Sequence, residues 1–379
     1  MAHDSRNRRC SSVTSLTVIA VAASSLLAAS PGLAANVDIP HLQAEAERGN
    51  LSQEVQLATA YVFGHGVTQD MKMAAYWYQK AAERGDPEAQ NEIGLFYMTG
   101  TGVPADPARA LHWYQLSAAS GFVQAKVNLA VLYFWGDGVP KDMSLAAQLF
   151  QEAVNKGDGT AATYLGDMYY FGHGVAQDKA AAEKWFATGV KMHDPVAAFN
   201  MGLLYSVKDD HVRDLSKAAR LFRRSASAGY VSAMYSLGLL VARHPELAHS
   251  PEEAPTLLEE AAHAGSWKAS VALGVLARDG TAGAADPQAA YFHFKVAALQ
   301  GGESAKRPLA KDFRDLAATL TAEQTGAETF RANRWFEEHH LALVLVNKDG
   351  ENWKQLIASP LTADENDQPA GQVPPLPPA

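Results

Sequence analysis

Histidine, the side chain that most often binds transition metals, occurs at two equivalent loop positions in this sequence and as a pair near its end. His65 and His173 each lie in a Gly-His-Gly loop, and His339-His340 follows much later. The two loops are three sequence periods apart, which corresponds to about 25–30 Å at ordinary helix-packing distances. They cannot share a metal ion, so we interpret all of these histidines as solvated side chains and predict no metal site.

Paired acids and glycine-rich loops are the other candidates for chemistry. Glu259-Glu260 and Asp209-Asp210 could act as general acids and bases, but nothing nearby supplies a nucleophile or positions a water. Gly-x-Gly pairs could bind phosphate, but no strand precedes them and they recur in register, which is typical of turns. The sequence contains no Gly-x-Ser-x-Gly element. We therefore predict no catalytic residues, no cofactor and no enzymatic activity.

The N-terminal segment has the features of a secretory signal peptide. Arg6, Arg8 and Arg9 precede an apolar stretch, and small residues then lead up to Ala34. This pattern predicts residues 1–34 as a signal peptide cleaved near Ala34 or Ala35, and hence a periplasmic or secreted protein. The alternative, an uncleaved anchor, requires a longer apolar span. Cleavage would remove Cys10, the only cysteine, and with it any disulfide or thiolate site.

The overall charge bears on the choice of partner. The formal net charge of the 379 residues is −9, and no basic stripe interrupts it. A protein that binds nucleic acid needs clustered Lys and Arg, so we predict no nucleic-acid partner. No later stretch is apolar enough to span a membrane, so we expect no stable membrane insertion after cleavage. The oligomeric state stays open.

An internal repeat of 36 residues organises most of the chain. Alanine returns at this interval seven times, glycine or alanine occupies a second position, and tyrosine a third. A Gly-x-Gly-Val loop, an aspartate, an aromatic pair and a closing glycine complete each unit. The alanines are Ala89, Ala125, Ala161, Ala197, Ala233, Ala269 and Ala305.

Each repeated position has a physical role in a helix pair. A small residue such as Gly94 allows the two helices to approach closely, and the first loop glycine can end helix A in the left-handed conformation. Asp106 can cap helix B, with Pro107 in its first turn. One such unit cannot bury its own apolar face, whereas stacked units can. We therefore predict an all-α fold, a right-handed α-solenoid of helix-turn-helix repeats.

The repeat resembles the Sel-1-like repeat family, which is related to tetratricopeptide repeats. Residues 90–121 fit that family's pattern almost throughout, with Ser117 as a departure from its Ala-Ala pair. The resemblance implies a scaffold or adaptor. It also implies that this exported type of bacterial protein binds partner proteins, including regulators of envelope or exopolysaccharide output. A cysteine-rich branch linked to β-lactam binding is not matched, because the mature chain would lack cysteine.

The predicted organisation has five parts: a signal peptide at 1–34, an N-terminal capping helix at 35–53, about seven repeats at 54–305, capping helices at 306–346 and a Pro-rich tail at 347–379. The last units have lost loop glycines, with His244 and Glu246 in their place in one of them. Such units are either specialised for binding or more loosely packed. The tail is expected to be disordered, with a polyproline-II ligand as the alternative.

The leading hypothesis is a non-catalytic scaffold that binds a protein or peptide on a concave face lined by the first helices of the repeats. The alternatives are a hydrolase of cell-wall or β-lactam type and a self-assembling structural envelope protein. By analogy with related helical repeats, the predicted groove residues are Asn91, Leu95, Met98, Val131, Phe134, Thr163, Asp167, Tyr170, Phe199 and Tyr235.

Overall fold

The computed structural model describes residues 38–207, 213–281 and 283–348, with side chains as far as 339. Every regular element in these ranges is a helix, so the predicted all-α class is confirmed. The helices form two compact units, one ending at His193 and the other beginning at Asp194. The predicted signal peptide, Asp209-Asp210 and the Pro-rich tail lie outside the described residues.

Between residue 38 and His193, the part of the first unit with described structure, there are nine helices. After α1, consecutive helices pair as helix A (even number) and helix B (odd number), and each pair is one repeat. The bounds are α1 Ile39–Glu47, α2 Leu51–Phe63, α3 Met71–Glu83, α4 Pro87–Thr99, α5 Pro107–Ala119, α6 Val123–Trp135, α7 Met143–Val154, α8 Gly159–Phe171 and α9 Lys179–Lys191.

The second unit continues the same alternation over the part that the structure describes. Its helices are α10 Pro195–Ser206, α11 Leu215–Ser227, α12 Val231–Arg243, α13 Glu253–His263, α14 Trp267–Asp279, α15 Pro287–Gly301, α16 Glu303–Ala317 and α17 Ala322–Lys348, with a 3₁₀ turn at Pro245–Leu247. The unit with the altered loop therefore keeps its helix pair, α12 and α13. That 3₁₀ turn stands where other repeats have glycines.

The ends of the helices follow the expected chemistry. The carboxylate of Asp178 accepts hydrogen bonds from the backbone N–H groups of Ala180 and Ala181, and the repeated aspartates at the other helix B starts do the same. Gly100, the residue after α4, has a φ of 72°, which is the left-handed conformation predicted for the first loop glycine. These end signals mark where the capped helices B begin and where α4 ends.

Contact between the two helices of a repeat depends on the small residue of helix A. A Cβ placed on Gly166 of α8 would lie 2.4 Å from Cε1 of Phe186 in α9, and one on Gly94 would lie 2.9 Å from Tyr114. Both aromatic side chains are fully buried. The ring of helix B therefore packs directly on the backbone of helix A, and burial of each such ring contributes about 1.5–3 kcal/mol.

The second loop glycine connects one repeat to the repeat before it. A Cβ on Gly138 would lie 2.1 Å from Cβ of Pro107, the first residue of α5. Gly102 packs in the same way on Met71 at the start of α3, and Gly174 on Met143 at the start of α7. These three loops of the first unit are thus held against the helix B of the preceding repeat.

The last helix departs from the alternation. A capping box precedes it: the backbone N–H of Thr321 donates to Oε1 of Gln324, and that of Gln324 donates to Oγ1 of Thr321. Helix α17 packs along α15, where Arg331 lies 4.8 Å above the ring of Phe292. A regular helix B would pack on the helix A before it, α16.

No helix in the described ranges is both long and apolar enough to cross a bilayer.

Candidate partner-binding face

The residues predicted to line a groove lie mostly in the interior. Eight of the ten are buried: Asn91, Leu95, Met98, Val131, Phe134, Thr163, Asp167 and Phe199. Tyr170 and Tyr235 are half-buried. The reason is that helices α4, α6 and α8 are buried around most of their circumference, so a side chain directed away from helix B is still covered. In the described state only the two tyrosines of this set are accessible to a partner.

A ladder of buried polar side chains includes one of the predicted groove positions, Asn91. Nδ2 of Asn128 donates to Oδ1 of Asn91 across 2.9 Å, and Nδ2 of Asn91 donates to Oε1 of Glu92 across 3.0 Å. Glu92 is buried beside Tyr78 and Tyr114. Burial raises the pKa of Glu92 to about 8, and the hydrogen bond from Asn91 offsets only part of this. The ladder holds helices α4 and α6 together.

Two other groove candidates, Phe134 and Phe199, pack in aromatic clusters. The ring of Phe134 meets those of Trp135, Tyr164 and His173 at centroid distances of 5.0, 6.4 and 5.9 Å. In the second unit, Phe199 lies 5.6 Å from Phe222. These contacts are core packing within a unit. They also explain why aromatic residues recur on helix A without forming an open surface.

The Gly-x-Gly loops form an edge that remains accessible in part. We define the loop edge as His65, Thr101, Asp137 and His173, the central residues of the four loops in the first unit. His65 is exposed, and the other three are half-buried. The predicted solvation of His173 is wrong, because its ring stacks on Phe171 at 5.5 Å. The two loop histidines are not brought together.

The loop edge also contains unsatisfied polar atoms that the sequence did not reveal. Oδ2 of Asp137 and Nε1 of Trp135 are buried and have no hydrogen-bond partner among the described residues. Burial raises the pKa of Asp137. The sequence contained one weak signal for this position, since Asp137 is the one acidic residue among the four residues of the loop edge.

The second unit contains a small cleft of about 30 Å³ beneath α17, lined by residues of α13, α14, α15 and α17 that include Glu259, His263, His293 and Trp335. His339 stacks on Trp335 at 4.3 Å and meets His263 at 4.7 Å, so its predicted solvation is wrong. Burial, followed by the charge of Arg331, lowers the pKa of His293 to about 4.

The chemistry of this cleft is limited. Nδ1 of His263 bonds to the backbone oxygen of Glu259, and Nδ1 of His339 bonds to that of Trp335. In the described part of the chain, no three His, Cys, Asp or Glu side chains are grouped so that they could hold a metal ion. The two histidines act as packing groups for α17.

The stacked helix pairs define a helical-repeat protein of the tetratricopeptide-like kind. The sequence profile of the Sel1 repeat matches residues 54–86, 87–122, 123–158, 159–192, 195–230 and 267–302, which is more than half of the chain. The chain belongs to the Sel1 repeat family, whose members are generally protein-interaction scaffolds without catalytic activity. The match skips the altered unit formed by α12 and α13.

Several solved structures resemble this chain. A Sel1 repeat protein from Oxalobacter formigenes is 26% identical, with a TM-score of 0.58 over 66% of this chain and 99% of that one. The protective antigen c5321 of uropathogenic Escherichia coli is 21% identical, with a TM-score of 0.37 over 81% of each chain. The immunity protein Pa5087 of Pseudomonas aeruginosa is 20% identical, with a TM-score of 0.41 over 56% of this chain and 81% of that one. No curated protein matches the sequence.

Proposed function

We propose that this protein is an exported, non-catalytic scaffold that binds a partner protein or peptide along the helix A side of its repeats and regulates envelope or exopolysaccharide signalling. The supporting observation is the array of six Sel1 repeats, which is characteristic of interaction proteins. The acidic net charge of −9 favours a partner with basic segments.

The accessible part of the helix A side defines where the partner would bind. Tyr170 and Tyr235 retain exposed surface, as does the loop edge of the first unit. Tyrosine combines a large apolar ring with a hydroxyl group and is enriched in protein interfaces. The buried members of the predicted groove support these positions from below without touching the partner.

Crosslinking from defined positions tests partner binding. A photoreactive amino acid replaces Tyr170 or Tyr235 in the full-length chain, and the matched control carries it at exposed Gln115 on helix B. Crosslinks to one envelope protein from Tyr170 or Tyr235, and not from Gln115, would support the proposal. Equal or absent crosslinking from all three positions would contradict it.

Export requires a separate test, because it depends on the N-terminal sequence. Full-length protein expressed in a Gram-negative host is expected to be recovered from the periplasm or medium with its N-terminus at Ala35 or Asn36. Replacing Arg6, Arg8 and Arg9 with Glu should retain the unprocessed chain in the cytoplasm. An intact N-terminus on exported protein would contradict the cleavage.

A further inference from the structure

The last helix of the second unit shows how a helix docks on the helix B side of these repeats. Helix α17 lies over the groove between two successive helices B, α13 and α15, and residues of α14 form the floor of that groove. The lining includes Leu273 of α14 and Val296 of α15, and Val296 is only 2% exposed. Because the structure repeats, the grooves between other helices B can be compared with this one position by position.

One groove of the first unit matches the α17 site in its apolar residues. The groove between α3 and α5 lies five periods of 36 residues earlier in the chain. The apolar positions correspond as follows: Ala82 to Ala262, Ile93 to Leu273 and Leu116 to Val296. Ala82 and Ile93 are buried, whereas Leu116 is 39% exposed. The apolar surface that α17 covers in the second unit is therefore accessible at Leu116 in the first.

The neighbouring grooves have polar residues at the position of Leu116. In the groove between α1 and α3 the residue is Lys80, whose Nζ lies 3.7 Å from Oε1 of Glu54. In the groove between α5 and α7 it is Glu152, whose Oε2 lies 2.5 Å from Nζ of Lys126. The corresponding residues of α9, α11 and α13 are Thr188, Arg224 and Glu260. Among the helices B from α3 to α15, a leucine or valine occupies this position only at Leu116 and in the groove that α17 covers.

The exposed apolar surface continues along α3. Tyr76 is 54% exposed and lies one turn before Gln79, which corresponds to a residue that lines the α17 site. Trp113 of α5, which corresponds to His293, is half-buried. Tyr76 and Leu116 are two of the four large apolar side chains that are exposed in the described residues. Apolar side chains exposed together along a groove indicate an interaction site more strongly than isolated ones.

The chemistry of α17 indicates which partner this open groove fits. On its docking face, Ala332 is fully buried and Trp335 lines the cleft. One turn later, the ring of His339 meets that of His263 at 4.7 Å. In the groove between α3 and α5 the residue that corresponds to His263 is Glu83, which is exposed. The groove therefore fits an amphipathic helix with a small residue, an aromatic residue three positions later and a basic residue four positions after that.

We propose that the groove between α3 and α5 binds such an amphipathic helix from a second partner protein. The helix packs its small and aromatic residues on Ala82 and Leu116, and its basic side chain donates to the carboxylate of Glu83. This surface lies on the helix B side, so it goes beyond the proposed function, which concerns the helix A side. Gln115 corresponds to Glu259 and by this register lies on the other side of α5, towards α7.

A peptide derived from α17 tests the groove. It has the sequence of residues 322–339 with Gly326→Ala and His339→Lys, and it carries an N-terminal fluorescein. Its fluorescence anisotropy is measured while the full-length chain is added. A second peptide has Glu in place of Lys at the last position. We expect the lysine peptide to bind saturably and about tenfold more tightly than the glutamate peptide, because Glu83 attracts the first and repels the second.

Variants of the protein locate the binding. Leu116→Glu should weaken binding of the lysine peptide about tenfold, although the added charge alone would attract it. The fold accepts a glutamate at this position, since Glu152 occupies it in the next repeat. The matched control is Gln148→Glu, which adds the same charge at an exposed position of α7 and should bind like the unaltered protein. Glu83→Lys should reverse the preference between the two peptides.

Every other outcome overturns the proposal. A lysine peptide that does not bind excludes the groove, and equal binding to Leu116→Glu and the unaltered protein places the peptide elsewhere, such as in the α17 site. Self-association of the chain in light scattering that is lost in Leu116→Glu would show that a second copy occupies the groove. None of these results affects crosslinking from Tyr170 and Tyr235, so the proposed function is decided separately.

Discussion

Asn128 donates a side-chain hydrogen bond of 2.9 Å to Asn91 inside the first unit, and so joins the helix A of one repeat to the helix A of the next. Asn91 passes the connection on to Glu92, whose carboxyl group is buried. The ladder therefore includes an acid that burial keeps protonated at neutral pH. Its consequences can be measured.

The first unit should lose stability as the pH rises. Glu92 has a pKa of about 8 when folded, against about 4.5 in the unfolded chain, so folded protein retains the proton across this window. The contribution of protonated Glu92 to the free energy of unfolding is fully present below pH 4.5. It decreases by up to about 1.4 kcal/mol per pH unit between pH 4.5 and pH 8. Hydrogen exchange of α4 peptides between pH 5 and 8, corrected for intrinsic rates, measures it. Glu92→Gln should remove most of this dependence, and an unchanged slope would refute the assignment.

The second unit should respond to pH in the opposite sense. The pKa of His293 is lowered to about 4 in the folded chain, whereas an unfolded histidine titrates near 6.5. The contribution of neutral His293 to the free energy of unfolding is therefore fully present above pH 6.5. It decreases by up to about 1.4 kcal/mol per pH unit as the pH falls towards 4. Arg331 disfavours protonation and Asp286 favours it, but burial dominates. Exchange of α15 and α17 peptides should increase on acidification, and less so in His293→Gln.

The helices were predictable because their signals are local. Aspartate at the start of helix B and glycine after helix A act within one turn, and both positions have the predicted conformation. The close helix contact at Gly166 follows from the missing side chain alone. Such features need no knowledge of neighbouring repeats.

The burial of the predicted groove was not predictable in the same way. Asn91 and Phe134 face away from their own helix B, and the sequence pattern does not state how tightly successive repeats curve. The burial of the Trp135 and Asp137 polar atoms that have no hydrogen-bond partner depends on that same packing. The packing of α17 on α15 was not predicted either, because the sequence pattern indicated capping helices at 306–346 without showing which helix they contact.

Substitution of Gly166 should be destabilising despite the higher helix propensity of alanine. A Cβ at this position would lie 2.4 Å from the Phe186 ring, so Gly166→Ala should cost about 1–3 kcal/mol through overpacking. Ala130 occupies the equivalent position in the preceding repeat, which indicates that the helices can separate slightly. Urea unfolding measures the difference.

The control for this substitution is Gly326→Ala in α17, where no atom lies within 4 Å of the added carbon. That change should stabilise the helix by about 0.5–1 kcal/mol. If both alanine variants shift stability in the same direction, the contact with Phe186 does not set the helix spacing.

Restoring the family's alanine at Ser117 should weaken this protein. The hydroxyl group of Ser117 is buried and donates to the backbone oxygen of Pro87 across 2.5 Å, joining α5 to the start of α4. Ser117→Ala should therefore cost about 0.5–1.5 kcal/mol in chemical unfolding. Ser120→Ala, at an exposed helix end, should change stability by less than about 0.5 kcal/mol. A more stable Ser117→Ala variant would show that the hydrogen bond contributes nothing net.

The packing of Gly138 on Pro107 has an evolutionary consequence. The same kind of junction occurs at Gly102 and Gly174, where a loop glycine packs on the first residue of a helix in the repeat before it. A tandem duplication of one whole period would carry both halves of such a junction and recreate it on either side. Gain or loss of complete periods in the gene can thus change the number of repeats without requiring a new kind of contact. An insertion of any other length inside a helix would break the register.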